Sequence, residues 1–282
     1  MCVPSGGWTL EGDRKTEVTV TETFSLSLDQ AQAYEQLFVP ALFAQWVPTL
    51  LECARVAAGQ RVLDVACGTG VAARGAAAAV GPAGHVSGVD LNPAMIQVAR
   101  ECAPGIEWRV GDASKLPYED EAFDAVLCQS ALFFFPDSAS AVREMSRVLV
   151  LGGTVAVQTY AELEEQPGYR PFVDTVVRHA GPDARSLLGT YWSKGRLDEL
   201  RALFADAGLE VTEARTLLGT VTFPSVDALV QTEIRATPLA ERIDEVAYGA
   251  ISENVRTVLE PYADAEGMVR LPIRARFIAG VK

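Results

Sequence analysis

Residues 62–73 read VLDVACGTGVAA, a short apolar run that passes through two closely spaced glycines into a stretch of small residues. The run VLDVA has the length and character of a buried strand, and the alanine-rich residues after Gly70 suit a helix. Gly68 and Gly70 allow the backbone to turn tightly and approach a ligand, and the first amides of the following helix face that turn. Taken as GxGxxA, the segment matches a dinucleotide fingerprint, and Asp90 follows about 20 residues later, where an acidic group holds ribose hydroxyls. Two glycines also describe a plain structural turn, so the flanking sequence has to decide.

Outward from this loop the chain alternates short apolar runs with helical stretches. VLDVA is followed by a helix to Ala79, HVSGVDL by a helix to Cys102, then come IEWRVGDA and FDAVLCQ, a helix from Ala139 to Leu149, and GGTVAVQT. Strands separated by helices in this way form βαβ units and a parallel sheet. Before the loop, apolar residues recur at helical spacing between Asp29 and Ala58, with Asp29 placed as an N-cap and Pro40 and Pro48 as breaks. After Tyr160 the residues 171–180 and 195–207 read as helices, LEVTEAR and GTVTF as strands, 225–262 as mostly helical, and VRLPIRARFIAGVK as a last strand. The expected architecture is α/β, with the sheet finished by an antiparallel edge and a helical insertion lying over its carboxyl ends.

The acidic residues around the loop choose between cofactors. Asp64 stands inside the first strand, beside the glycines, where a carboxylate repels a pyrophosphate and attracts the ammonium and sulfonium of S-adenosylmethionine. Asp90 closes the second strand and Asp112, in Gly-Asp-Ala, the third; a carboxylate there accepts from an adenine amino group, and Ala113 leaves room for the ring. Carboxylates at successive strand ends meet where open α/β sheets bind ligands. An NAD-dependent oxidoreductase would use the same loop and Asp90, but Asp64 and the Gly-Asp-Ala turn oppose it. Tyr191 and Lys194 are three apart, not the four that a dehydrogenase Tyr/Lys pair needs on a helix.

Four ordered motifs, VLDVACGTG at 62–70, VSGVDLNPAMIQVAR at 86–100, WRVGDASKLPYEDEAFDAVLCQSALFFFPD at 108–137 and REMSRVLVLGGTVAV at 143–157, resemble the class I S-adenosylmethionine-dependent methyltransferases. Within them the sequence is similar to the ubiquinone and menaquinone biosynthesis branch. The resemblance implies a Rossmann-like seven-stranded sheet, mostly parallel, with an antiparallel last strand. It also implies that Gly68 and Gly70 pack on the methionine and ribose portion of S-adenosylmethionine, with Asp64 behind its amino group and Ala66 among the cofactor-binding residues. Asp90 then takes the ribose hydroxyls, Leu91 and Met95 lie near the adenine, Asp112 and Ala113 bind it, and Gln129 and Tyr34 close the methionyl end. The chain departs from the family pattern at Val150-Leu151-Gly152-Gly153, where Arg-Pro-Gly-Gly is usual, and in its aromatic run Phe133-Phe134-Phe135.

Several side chains keep two readings. Phe133 and Phe134 are either core or the wall of a substrate pocket, and Tyr191 and Trp192 either pack or reach the site from a lid. His179 is a surface histidine or a general base, and Asp124, ahead of the fourth strand, reads as a structural turn residue. A protein that binds S-adenosylmethionine without transferring its methyl group fits the same motifs.

Composition narrows the partners. With 24 Lys plus Arg against 37 Asp plus Glu the net charge is 24 − 37 = −13, unlike a domain that neutralises nucleic-acid phosphates. No apolar stretch reaches the roughly 18 residues of a membrane span, and the start of the chain lacks a basic segment followed by an apolar block, so a cytoplasmic address is expected. Five cysteines without ligand spacing and only two histidines give no metal site. The expected organisation is a mobile segment 1–27 followed by one domain, 28–282. That domain divides into N-terminal helices at 28–58, a cofactor-binding core at 59–160 and a C-terminal part at 161–282, whose stretch 165–262 forms a helical lid. The expected substrate is a small-molecule acceptor.

Overall fold

The computed structural model describes residues 26–235, 239 and 243–282. Most of the segment 1–27 expected to be mobile therefore lies outside the described residues. Its last residue, Ser27, accepts from the Gln30 amide while the Gln30 side chain accepts from the Ser27 amide, a reciprocal cap for helix α1 (Leu28–Ala33). Asp29, expected as the cap, instead stands in the first turn, where its charge favours the helix N-terminus. The helix continues as a π-helical stretch, Tyr34–Phe43, that contains Pro40, whose missing amide rules out a regular i→i−4 bond there. Helix α2 (Val47–Cys53) completes this N-terminal layer with Pro48 at its first turn.

The core alternates as its hydrophobic pattern requires. Strand β1 (Arg61–Val65) leads to α3 (Val71–Val80), β2 (His85–Asp90) to α4 (Pro93–Cys102), and then come β3 (Glu107–Val110), β4 (Phe123–Gln129), α5 (Ser138–Val148) and β5 (Leu149–Tyr160). All neighbouring pairs among these five strands are parallel. Alternate residues of each strand feed two apolar layers. Val62, Ala125 and Leu127 pack with α2 and α3, whereas Leu63, Val126 and Val155 pack with α5. The alanines of α3 let it come so close to α2 that a Cβ on Gly75 would lie 2.5 Å from Val47.

Beyond β5 the chain adds α6 (Tyr169–Ala180), α7 (Asp183–Gly189), α8 (Leu197–Asp206), β6 (Glu210–Phe223), α9 (Val226–Val230), α10 (Glu245–Leu259) and β7 (Val269–Val281). The sheet is seven-stranded, in the order β3-β2-β1-β4-β5-β7-β6, and β7 runs antiparallel to both neighbours. The antiparallel strand is thus enclosed, and the sheet edge is β6. LEVTEAR and GTVTF, expected as separate strands, are one strand of 14 residues with an irregularity between Val211 and Glu213. The helical lid is likewise not one insertion over 165–262, because α8 and β6 belong to the core: Leu200 and Phe204 pack under the sheet with α5. Helices α6 and α7 precede that core pair, whereas α9 and α10 follow it, and the two insertions meet where α6 contacts α10.

Candidate active site

The loop after β1 is wound by three successive left-handed residues at alternate positions, Ala66 (φ 54°), Gly68 (φ 53°) and Gly70 (φ 88°). For Ala66 this conformation costs on the order of 1–2 kcal/mol, so the surrounding contacts must hold it. They are on hand: the Asp90 carboxylate accepts from the Gly68 amide at 2.8 Å and from the Asn92 amide at 2.9 Å, joining the ends of β1 and β2. Asn92 caps α4 through the Ala94 amide, which fixes the backbone beyond Asp90.

Asp64 points beneath this loop. Its Oδ2 accepts from the Ala73 amide at 2.9 Å, in the first turn of α3, while Oδ1 is buried without a hydrogen-bond partner. Burial pushes its carboxyl up to about 7, the Asp90 charge adds to the rise, and the Ala73 amide and Arg74 oppose it. Gln129, at the end of β4, donates to the Phe43 carbonyl at 2.7 Å and leaves its own buried Oε1 without a partner. Both residues line one cavity of about 270 Å³, open mouth included, together with Tyr34, Phe43, Ala66, Cys67, Val71 and Ala72. Two unsatisfied acceptors on residues that line one space suit a donor cation such as an ammonium group. S-adenosylmethionine carries that group, so the residues present fit it.

The N-terminal layer closes the cavity. Tyr34 lies over Gly68, 3.7 Å from where a Cβ would stand, and stacks on Phe43 at 5.3 Å and Phe38 at 5.9 Å between centroids. Glu35 accepts from the Thr69 hydroxyl at 2.5 Å and from Arg74 at 2.7 Å, and Arg74 also donates to the Thr69 carbonyl at 2.6 Å. Met95, expected beside an adenine, is buried with Ala31, Leu26 and Tyr34, so its contacts are to helix α1.

Other expected residues fall at different depths. Leu91 is exposed at the strand end, and Asp112 is exposed and caps the Ser114 amide at 2.8 Å, with half-buried Ala113 beside it. Gly70, expected against the cofactor, has Trp108 on the side where a Cβ would stand, 2.3 Å from the ring. Trp108 pairs in register with Gly88, where a Cβ would meet the same ring at 2.3 Å, so the indole occupies the space two missing side chains leave. Its Nε1 donates to the Ala103 carbonyl at 2.9 Å. Asp124 accepts from the Arg61 amide and guanidinium at 2.8 and 2.9 Å, a structural tie.

Phe133 and Phe134 gather with lid residues. Phe133 lies 5.4 Å from Tyr191 and 6.1 Å from Tyr160 between centroids, Trp192 lies 5.7 Å from Tyr160, and Tyr169 lies 5.1 Å from Trp192. Burial, then the charges of Tyr160 and Asp90, push the Tyr34 phenol well up. His179 stands in the last turn of α6, its Nε2 buried without a partner, and is not among the residues lining the cavity. Sequence reasoning passed over Glu35, Thr69, Arg74, Phe43 and Trp108. Only Trp108 carried a signal, a large ring in a strand whose neighbour holds a mid-strand glycine. Among the described residues no group of three or more His, Cys, Asp or Glu could hold a metal ion, and no helix is long and apolar enough to cross a membrane.

A doubly wound sheet with a glycine loop, a carboxylate beneath it and another at the end of the next strand is a Rossmann-like arrangement, the fold that solved methyltransferase structures share. Residues 63–157 match the methyltransferase domain family. Relatives include arsenite methyltransferase of Halobacterium salinarum, 35% identical over 57% of this chain and 40% of that protein, and demethylmenaquinone methyltransferase of Listeria welshimeri, 32% identical over 54% and 65%. The chain therefore spans less than two thirds of either relative's length. The crystal structure of BH2331 from Bacillus halodurans matches with a TM-score of 0.58 over 84% of this chain and 98% of that one, at 22% identity, a likeness of fold.

Proposed function

We propose that the chain is an S-adenosylmethionine-dependent methyltransferase acting on a small or medium-sized, largely apolar organic acceptor. The observation that carries this reading is the pair of buried acceptors without partners, Asp64 Oδ1 and Gln129 Oε1, on the wall of one cavity. An ammonium group satisfies both and balances the Asp64 charge, whereas a pyrophosphate would meet a carboxylate. Bound there, S-adenosylmethionine supplies an electrophilic methyl group on a positively charged sulfur. The chain's own residues hold and orient. Asp90, whose oxygens retain lone pairs after accepting from Gly68 and Asn92, takes the ribose hydroxyls, with exposed Leu91 alongside the adenine. Asp112 and Ala113 meet the adenine edge, Gly68 leaves the loop low, and Tyr34 covers the methionyl end.

Phe133, Phe134, Tyr191 and Trp192 wall the acceptor, so water is excluded and proximity supplies most of the rate. His179, off the cavity, takes no part in this scheme. A thermal-shift series with S-adenosylmethionine, S-adenosylhomocysteine, NAD and NADP tests the cofactor. A ligand at about 100 times its Kd adds roughly 2.7 kcal/mol, or a rise of about 5 °C or more in Tm. A rise with the first two alone is expected; a rise with a nicotinamide nucleotide overturns the reading.

A further inference from the structure

Among the described residues four other than glycine take a left-handed backbone: Arg55, Ala66, Glu121 and Ser130. Arg55 and Glu121 are exposed turn residues, whereas Ala66 and Ser130 follow the carboxyl ends of β1 and β4, which are neighbouring parallel strands. Ala66 lines the cavity, and Ser130 comes directly after Gln129, which lines it too. Ser130 is buried with φ 52°, a conformation that a residue with a Cβ keeps only where its surroundings fix it, and such residues gather at functional sites. Gln158, the register partner of Gln129 on β5, does the fixing: its carbonyl accepts from the Ser130 amide at 2.9 Å and its Oε1 from the Ser130 hydroxyl at 2.5 Å. The Gln158 amide nitrogen donates to the Thr159 carbonyl at 2.8 Å, which turns the oxygen towards Ser130. The Tyr160 hydroxyl lies 3.2 Å from Ser130 Oγ; the one Ser130 proton is committed to Gln158, so Oγ accepts and the phenol donates. Burial holds that phenol above its usual range and hence protonated.

We infer that Ser130 is a positioning residue for the amino-acid end of the cofactor, its hydroxyl pinning the turn after β4 so that the Gln129 carboxamide oxygen stays turned into the cavity. This rests on the methyltransferase reading above. Gln129 has two anchors. One is the Phe43 carbonyl, which accepts from its Nε2 at 2.7 Å and belongs to the N-terminal layer over the cavity. The other is its own backbone, held by strand β4 on one side and by Ser130 on the other. A ligand that displaces the layer takes the first anchor away and leaves the second, because Gln158 and Tyr160, which hold Ser130, stand on β5 of the central sheet. Without the Ser130 hydroxyl the left-handed turn loses its side-chain ties, and Gln129 Oε1 is free to turn from the space that Asp64 also lines. The loss falls on an ammonium group, which draws on both oxygens, and spares a nucleoside, which draws on neither.

The test compares S-adenosylhomocysteine with 5′-methylthioadenosine, which keeps the nucleoside and the sulfur and lacks the amino-acid end. Both are titrated by calorimetry into the full chain, into Ser130→Ala, into Gln129→Ala and into the double variant. Ser130→Ala is expected to weaken S-adenosylhomocysteine at least about fivefold and methylthioadenosine less than about twofold, a split that a loss of folding stability alone does not produce. In the Gln129→Ala background the same change should cost less than about twofold, because the group it acts through is gone. Ser130→Gly lacks the hydroxyl but adopts the left-handed backbone without strain, so it supplies the same reading where Ser130→Ala does not fold. Equal weakening of the two ligands, an unchanged affinity for S-adenosylhomocysteine, or losses that multiply in the double variant overturn the inference. Failure of the parent to bind S-adenosylhomocysteine defeats the methyltransferase reading and the inference together, whereas binding by the parent with no split in the Ser130 variants defeats the inference alone.

Discussion

The Thr69 hydroxyl, in the glycine loop, donates to Glu35 of the N-terminal helical layer at 2.5 Å, and Arg74 of α3 donates to the other oxygen of the same carboxylate. One side chain thus latches the layer that carries Tyr34 and Phe43 onto the loop they cover. The cavity behind it offers only about 20 Å³ to the centre of a water-sized sphere, far below the roughly 300 Å³ and above usual for a ligand of nucleoside size. Ligand entry therefore requires the layer to lift. Glu35→Ala removes both bonds and is expected to cost about 1–2 kcal/mol, lowering Tm by a few degrees. It should also speed proteolysis within 28–43, an effect that saturating S-adenosylhomocysteine reverses. Unchanged cleavage rates would show that the latch does not hold the layer.

Gly70 has the Trp108 ring where a side chain would stand. A Cβ there meets the indole at 2.3 Å, and φ is 88°, a region an L-residue enters at a cost of about 1–2 kcal/mol. Gly70→Ala should therefore destabilise the fold by at least about 2 kcal/mol, with overpacking added to backbone strain. Trp108→Leu in the same chain should recover the overpacking part and leave the backbone part, a coupling that a double-mutant cycle of urea midpoints reads directly. Strict additivity would mean the ring is free to move aside.

Asp124 separates structural from ligand-binding carboxylates. It accepts from Arg61 three times, through the amide and two guanidinium nitrogens, and these bonds hold its carboxyl below the usual carboxylate range. Asp124→Asn should lower stability by about 1 kcal/mol and leave S-adenosylhomocysteine affinity within twofold, because neither partner lines the cavity. A large loss of affinity without a loss of stability would move Asp124 into the site.

The parts legible in the sequence were those with a local period or a fixed spacing. The βαβ rhythm from Val62 onward made the parallel sheet readable because central strands such as β1 and β4 are buried on both faces and helices such as α5 on one. The acidic strand ends were legible because strand direction alone sends Asp64 and Asp90 to the same edge. Glu35 was not, since its partners Thr69 and Arg74 are met only through tertiary packing of a helix that no strand pairing places. Glu233 was hidden for the same reason: an acidic residue on a polar helical turn reads as a solvated face until α6 brings Tyr169 against it. The sequence shows the helix at 195–207 and the strand residues of β6, but not that they join the main sheet and divide the lid, because the pairing of β6 with β7 is made across about 50 residues of chain.

Asp64 gives the domain a pH signature. Burial raises its carboxyl from 3.8 to about 7, so between those values the folded chain holds a proton that the unfolded chain has lost. Stability then falls as pH rises through this window, by a few kcal/mol at most, and levels off just above pH 7. Glu233, also raised to about 7 by burial, adds a slope of the same sign, so the informative quantity is the difference between the parent and Asp64→Asn. The variant should match the parent near pH 5 and exceed it in stability near pH 8. The ligand dependence runs the other way. An ammonium group bound to Asp64 favours the ionised carboxylate, so stabilisation by S-adenosylhomocysteine should grow from pH 6 to 7.5 in the parent and stay flat in the variant. Urea unfolding at four pH values, with and without the ligand, measures both slopes. A parent-minus-variant difference that does not change with pH means that the Asp64 carboxyl is not raised by its burial, and the ammonium receptor built from it and Gln129 falls with it.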